Sequence, residues 1–337
     1  MKKRTERNKK GSTKLKTVFI NIGFFFLAQI IVAITFSFPM VYYGPFVNIR
    51  ETLVTSAMTT LSHQYLVTTF ISDKEINRIR EKNKIDDNKN SDEKAIEVIS
   101  QKEEEKYKDP REGITYIDIS TDKFKGYLLI IDDPKRVRVG TTDKLGKSGM
   151  KVDEIVKRYG AIVGINSGGF EDENGQGTGG VPLGVLVEDG QILYGKPGVV
   201  HSIIGFNKEG VLILGKFTLD QIKEKNIQHA ISFNPFLIVN GEPTIKQGDG
   251  GWGIAPRTAI GQRKDGAVVM LVIDGRQISS IGATLKEVQD ILLKYEVYNA
   301  ANLDGGSSTT MVYEGKIINK PSSQYGPRYI PSAFIVK

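Results

Sequence analysis

Hydrophobic and polar positions divide the chain into stretches that follow different rules. From Thr17 to Met40 there are 24 residues without a charge, dense in Phe, Ile and Val. That exceeds the ~20 residues a helix needs to cross a bilayer, so residues 17–40 read as a transmembrane helix. A cleaved signal peptide would carry a shorter apolar run and a small-x-small site, so an uncleaved single-pass anchor is expected. Ile49 to Lys82 has helical character, tempered by Thr52, Thr55, Thr59, Thr60, Thr68 and Thr69, which are weak helix formers. Lys84 to Lys108 is nearly all Lys, Glu, Asp and Asn; with so little apolar surface to bury it reads as a solvated linker. The expected organisation is a tail at 1–16, an anchor at 17–40, a juxtamembrane segment and charged linker at 41–112, and a folded domain at 113–337.

Within 113–337 the pattern is mainly that of short strands. Ile114–Ile119, Lys125–Ile131, Ala161–Ile165, Phe236–Val239, Thr258–Gly261, Val268–Ile273, Met311–Tyr313 and Ala333–Val336 are apolar runs bounded by Gly, Pro, Asn or Asp. Residues 185–187 and 191–194 flank Glu188-Asp-Gly190, a hairpin signal, and strands are expected at Ser202–Phe206 and Val211–Leu214. Helices are expected at Val152–Tyr159, closed by Gly160, at Leu219–His229 and at Thr284–Tyr295. Strands outnumber helices. The fold class is α+β: a large mixed β-sheet with a few packing helices, behind one transmembrane helix.

Charge changes the picture only at the N-terminus. Residues 1–16 carry eight Lys or Arg and one Glu, a net of +7, and the whole chain is also +7. The remaining 38 basic and 38 acidic residues balance, so no nucleic-acid surface is expected. The basic tail should stay cytoplasmic by the positive-inside rule, leaving the rest outside. Cysteine is absent, and a domain of this size needs no disulfides.

Candidate chemistry gathers at strand ends: Asn166-Ser167-Gly168-Gly169, Pro256-Arg257-Thr258, Asp274-Gly275-Arg276 and Asp304-Gly305-Gly306-Ser307-Ser308. A rigid sheet usually presents a site from such loops. An Asp-Gly pair alone is chiefly a turn signal, but four clusters with two arginines suggest a site. Gly305, Gly306, Ser307 and Ser308 suit an anion nest of successive backbone N–H groups, with Asp304 beside it. Asp304 and Asp274 could hold a divalent cation, although no ligand-spacing motif accompanies them; no other cofactor is expected. His63 is assigned no chemistry, and Trp252, the single tryptophan, is a candidate aromatic platform or lid.

In this order, Gly164-Ile-Asn-Ser-Gly-Gly-Phe170, Gly179-Gly-Val-Pro-Leu-Gly184, Ala255-Pro-Arg-Thr-Ala-Ile-Gly261, Val272-Ile-Asp-Gly-Arg276 and Asn299-Ala-Ala-Asn-Leu-Asp-Gly-Gly-Ser-Ser308 resemble the phosphodiester glycosidase family. The resemblance covers about residues 113–337. It implies cleavage of the sugar C1–O bond of a sugar-1-phosphodiester in a cell-surface glycan or exopolysaccharide. Two carboxyls normally serve glycoside hydrolysis, and guanidinium groups bind phosphate bidentately. Asp304 is accordingly expected as nucleophile or general base, with Asp274 as its partner or a sugar-hydroxyl ligand. Arg257 and Arg276 are expected on the phosphate with the 305–308 nest, and Asn166, with Gly168 and Gly169, on the substrate. Two departures stand out. Glu171-Asp172-Glu173 replaces an aromatic after Gly-Gly-Phe, and Pro327 precedes Arg328 where many members have Glu. Arg328 is still included among the substrate-binding candidates. The alternatives are a non-catalytic wall-polymer binding module and a glycosyl transferase acting on the same bond.

Overall fold

The computed structural model describes residues 2–60, 63–86, 88–98, 109–172, 177–323 and 325–337, and side chains from Lys16 onward. Ten residues of the expected linker (99–108) and Glu173 lie outside that description.

Helix runs without interruption from Lys2 to Tyr43, with a wider π turn at Ala33–Ser37. Within it, Lys16–Tyr43 is long and apolar enough to cross a membrane, and its residues up to Ser37 are exposed, whereas Tyr42 at its end is buried. After Gly44-Pro45-Phe46 come three short helices, Val47–Met58, Tyr65–Thr68 and Asp73–Lys82. They build a core of their own from Tyr42, Val54, Ala57, Val67, Ile71, Ile76 and Ile79. Tertiary burial thus outweighs the weak propensity of the threonines. Lys82 clamps Glu51 at 2.8 Å across the bundle.

The charged stretch that follows is docked along the domain. Ser91 N–H donates to the Leu214 carbonyl, Glu97 N–H to Lys264, and Asp92 N–H to the Asn240 side chain. Its side chains stay largely solvated, as the composition dictates, while its backbone is tied down.

The domain is α+β, as expected, but its strands divide among three sheets in place of one mixed sheet, and every pairing between named strands is antiparallel. The seven-stranded sheet has Val268–Ile273, Arg257–Arg263 and Val297–Asn302 at its centre. A second sheet contains Val163–Asn166 between Met311–Tyr313 and Ser332–Val336; the third holds His201–Asn207 between Leu212–Phe217 and Ile227–Ser232. Apolar faces of all three meet in one core that includes Leu129, Ile165, Leu186, Phe206, Phe236, Ile260, Met270 and Phe334. Helix Leu285–Lys294 covers the outer face of the large sheet, and helix Val152–Tyr159 that of the second.

One expected element changes type. The helix foreseen over Leu219–His229 stops at Glu224, and Ile227–Ser232 is a strand. Asn226 takes a left-handed φ of 50°, a conformation Asn tolerates, and this turns the chain into the sheet. Ile227, His229, Ala230 and Ile231 are then buried against the neighbouring strands.

Candidate active site

Antiparallel pairing decides where the chemistry lies. Arg257 opens its strand opposite Ile273, the last residue of the neighbouring strand, and Ala259 pairs with Asn302, the last residue of the other neighbour. The start of one central strand and the ends of both its partners therefore share one rim of the sheet, where Arg257, Arg276 and Asp304 emerge. Asn166 ends a strand of the second sheet beside them.

A cavity of about 730 Å³ opens at this rim. Its lining combines Asp304, Gly305, Gly306, Ser307, Ser308, Arg257, Arg276, Arg328, Asp172 and Gly169 with Phe170, Phe233 and Trp252, and with Ser56, Thr59, Thr60 and His63 from the N-terminal helices. Polar groups converging between aromatic walls are the usual composition of a small-molecule site.

Asp304 is the most perturbed acid there. Burial pushes its carboxyl up to about 6; hydrogen bonds from the Ser308 side chain and the Gly305 N–H, and the charge of Arg328, oppose the rise, while the charge of Asp172 adds to it. The Gly305 N–H donates to Oδ1 at 3.0 Å. Gly306 holds φ at +60°, and a Cβ there would lie 3.3 Å from Arg276 Nη1. Glycine is what lets the guanidinium close on the nest.

Arg328, the residue with the unusual neighbour, turns into the cavity. Its Nη2 pairs with Asp172 Oδ2 at 2.8 Å, and its Nη1 donates to Ser307 Oγ at 3.3 Å. Its guanidinium also lies 5.3 Å from the centre of the Phe170 ring. The second carboxylate of the cavity is thus Asp172, from the acidic run that looked like a change of wall.

Three expected placements are corrected. Asp274 is buried and absent from the cavity lining. Its oxygens accept from the Asn319 side chain at 2.8 Å and the Lys320 N–H at 3.0 Å, and burial raises its pKa against those bonds. It braces the 319–320 turn and does not face Asp304. Asn166 is also buried behind the site: its amide donates to the Asp304 carbonyl at 2.5 Å, while Oδ1 accepts from Thr258 Oγ1 and the Thr310 N–H. Its three bonds position Asp304 and leave substrate out of reach. Gly168 likewise sits behind the lining, with the Ser232 carbonyl 3.1 Å from where a Cβ would be.

Arg257 lines the cavity and holds its wall through Nε and Nη2. Nε donates to the Ala283 carbonyl at 2.9 Å and Nη2 to those of Trp252 and Gly253. Burial pulls its guanidinium down to about 10, with Asp249 opposing and Arg276 reinforcing the shift. Arg276, which has no ion-pair partner among the described residues, remains exposed to the cavity. Asp274 and Asp304 do not come together as the pair that could have held a divalent cation, and among the described residues no group of three or more His, Cys, Asp or Glu gathers.

A model of phosphodiester glycosidases matches residues 159–337, which carries every domain residue of the cavity. The chain belongs to the phosphodiester glycosidase family. Two relatives named N-acetylglucosamine-1-phosphodiester alpha-N-acetylglucosaminidase, from Bos taurus and Homo sapiens, are 30% and 29% identical over 188 residues, 51% of this chain and 34% and 35% of theirs. An uncharacterised prophage-derived protein of Bacillus subtilis, YomE, is 29% identical over 56% of this chain and 29% of its own. The chain therefore matches only about a third of the length of these relatives. Among solved structures, the catalytic domain of the zebrafish N-acetylglucosamine-1-phosphodiester alpha-N-acetylglucosaminidase, auto-inhibited by its pro-peptide, superposes with a TM-score of 0.55 at 28% identity. That match covers 66% of this chain and 81% of the zebrafish domain.

Proposed function

We propose that this chain is a membrane-anchored phosphodiester glycosidase that hydrolyses the C1–O bond of a sugar-1-phosphodiester in a cell-surface glycan or exopolysaccharide. The observation that carries the reading is the pairing of a proton-exchanging carboxyl, Asp304, with the Arg276 and Arg328 guanidiniums and the 305–308 nest in one cavity. Arg276 and the nest bind the phosphate, whose departure as a monoester needs charge neutralised more than a strong acid. Asp304 serves the sugar carbon as nucleophile or as base toward water; a pKa near 6 suits proton transfer at neutral pH. Arg328, tied to Asp172, steadies Ser307 and lends positive charge to Asp304. As the bond breaks, its electron pair leaves on the phosphate oxygen, the oxygen of water ends on C1, and the proton released passes to Asp304.

The basic tail at 1–16 favours a cytoplasmic N-terminus, with the helix Lys16–Tyr43 spanning the membrane and the cavity outside. The full chain should release product from a chromogenic N-acetylglucosamine-1-phosphodiester, and an Asp304→Asn chain should do so at least a hundredfold more slowly. Affinity without release would point instead to a wall-polymer binding module, for which the Phe233–Trp252 pair, 6.3 Å apart between ring centres, is the platform. Transfer of the sugar to a second glycan instead of water would identify a transferase.

A further inference from the structure

The N-terminal helices are both the far wall of the cavity and the next-door neighbours of the apolar span. At the cavity, Ser56 Oγ accepts from the Ile254 N–H at 3.0 Å, Thr59 Oγ1 donates to the Trp252 carbonyl, and Thr55 Oγ1 donates to Asp249. These bonds fix the 249–254 loop, and Trp252 with it, to helix Val47–Met58. At the span, Tyr42 and Tyr43 hydroxyls donate to the Leu66 and Phe70 carbonyls at 2.6 and 2.7 Å, and the Phe70 ring packs edge-on to Phe38 at 4.6 Å. The stretch from His63 to Phe70 thus touches the cavity at one end and the span at the other. Seven residues separate those ends, at most roughly 25 Å even if fully extended, and the turn Tyr65–Thr68 is helical and shorter.

The span itself fixes the level. Its 28 residues make about 42 Å of helix, longer than the ~30 Å hydrocarbon core and close to the full thickness with headgroups. Tyr42 and Tyr43 then lie among headgroups. The surface around them is unusually apolar: Tyr43 (65% exposed), Phe46 (48%), Ile49 (54%) and Tyr65 (59%) stand out beside Val47, Leu66 and Phe70. Aromatic residues next to a span are the composition of an interfacial belt, and a patch of this kind marks a contact surface.

We infer that this patch seats in the bilayer interface and holds the cavity beside the lipid headgroups, so that the substrate is a sugar-1-phosphodiester whose other alcohol is a membrane-embedded long chain. This rests on the proposed reading of the helix as a membrane span and of the cavity as a glycosidase site. Hydrolysis would break the sugar C1–O bond, place the oxygen of water on C1 and leave the lipid phosphate monoester in the bilayer.

The chain carries a single tryptophan, Trp252, in the cavity wall, and this allows a test independent of turnover. Full chain is reconstituted in phosphatidylcholine nanodiscs with or without headgroup-spin-labelled phosphatidylcholine. Headgroup label should quench Trp252 emission at least twofold, whereas label at the end of the acyl chains should leave it unchanged; no quenching by the headgroup label overturns the placement. The same nanodiscs are given two N-acetylglucosamine-1-phosphodiesters, one of hexadecanol embedded in the bilayer and one of ethanol in solution. At least tenfold faster turnover of the embedded diester at equal bulk concentration is expected, and equal rates overturn the substrate class. If neither diester is cleaved, the glycosidase reading fails, and quenching still decides where the cavity sits.

Discussion

Arg328 and Asp172, 156 residues apart in sequence, meet at 2.8 Å inside the cavity, and the same guanidinium donates to Ser307. The pair links the loop after the Gly-Gly-Phe turn to the nest beside Asp304. Changing Arg328 to Ala should remove a charge-assisted contact and lower kcat/KM roughly 10²-fold, the usual scale for losing one donor at a developing charge. Asp172→Asn should cost less, because the neutral amide can still accept from Arg328. Steady-state kinetics of both variants on one sugar phosphodiester check the order.

Asp304→Asn should lower kcat by 10²–10⁴-fold, the range for removing a positioned acid–base group. Wild-type kcat/KM should show a limb near pH 6, set by the raised pKa of Asp304, and the limb should vanish from the residual rate of the variant.

Stability should respond with the opposite preference. The Asp304 carboxyl has a folded pKa of about 6 against an ordinary 3.8, so the folded state binds the extra proton between those values. Its favourable contribution is complete below about pH 4 and is lost as pH rises through 6, by no more than about 3 kcal/mol. Asp304→Asn should therefore melt close to wild type at pH 4 and above it at pH 8. Thermal melts across that range would show a constant difference if the carboxyl were not desolvated.

Asp274→Asn distinguishes a brace from a catalyst. Its oxygens serve the Asn319 amide and Lys320 N–H, and an amide in their place leaves at least one buried donor unmet. A loss of about 1–3 kcal/mol in stability is expected, with kcat within a few-fold of wild type on the folded fraction. A thousandfold fall in kcat would return Asp274 to the chemistry.

Gly253 takes φ of +58°, and a Cβ there would lie 2.2 Å from Ser56 Oγ and 2.3 Å from Ser56 Cα. Gly253→Ala should prise the Trp252 loop from helix Val47–Met58. Gly198, at φ +73° with nothing within 4 Å, is the control for backbone strain alone, about 1–2 kcal/mol. The Gly253 variant should lose more melting temperature than the Gly198 variant and, unlike it, raise KM.

Periodicity in the sequence was enough to place helix Val152–Tyr159, closed by Gly160, and strand Val268–Ile273, because each is a buried run with a clear stop. It also located the rim, since Arg257 opens a strand while Arg276 and Asp304 follow the ends of its neighbours. What periodicity does not carry is which way a side chain turns beyond a strand. Asp274 and Asp304 are both followed by Gly, yet one is absorbed by Asn319 and Lys320 while the other keeps an open face. Asn166 looked like a ligand because its strand points at the site, but Thr258 and Thr310 take its acceptor first. Asp172 was hidden in an acidic run, and its partner Arg328 comes from the far end of the chain. The helix misplaced onto Ile227–His229 shows the same limit, as the third sheet recruits residues whose local preference is ambiguous.

Because the N-terminal helices and the charged stretch donate acceptors to the domain, the cut point of a recombinant fragment matters. A fragment begun at Gly113 would strip Asn83 from the Asp249 N–H, Ser56 from Ile254, Ser91 from Leu214 and Asn90 from Lys216. Those amides would be left to solvent, and the Trp252 carbonyl would lose Thr59 as well. Expression trials should start ahead of Val47, so that the purified piece keeps its own lining.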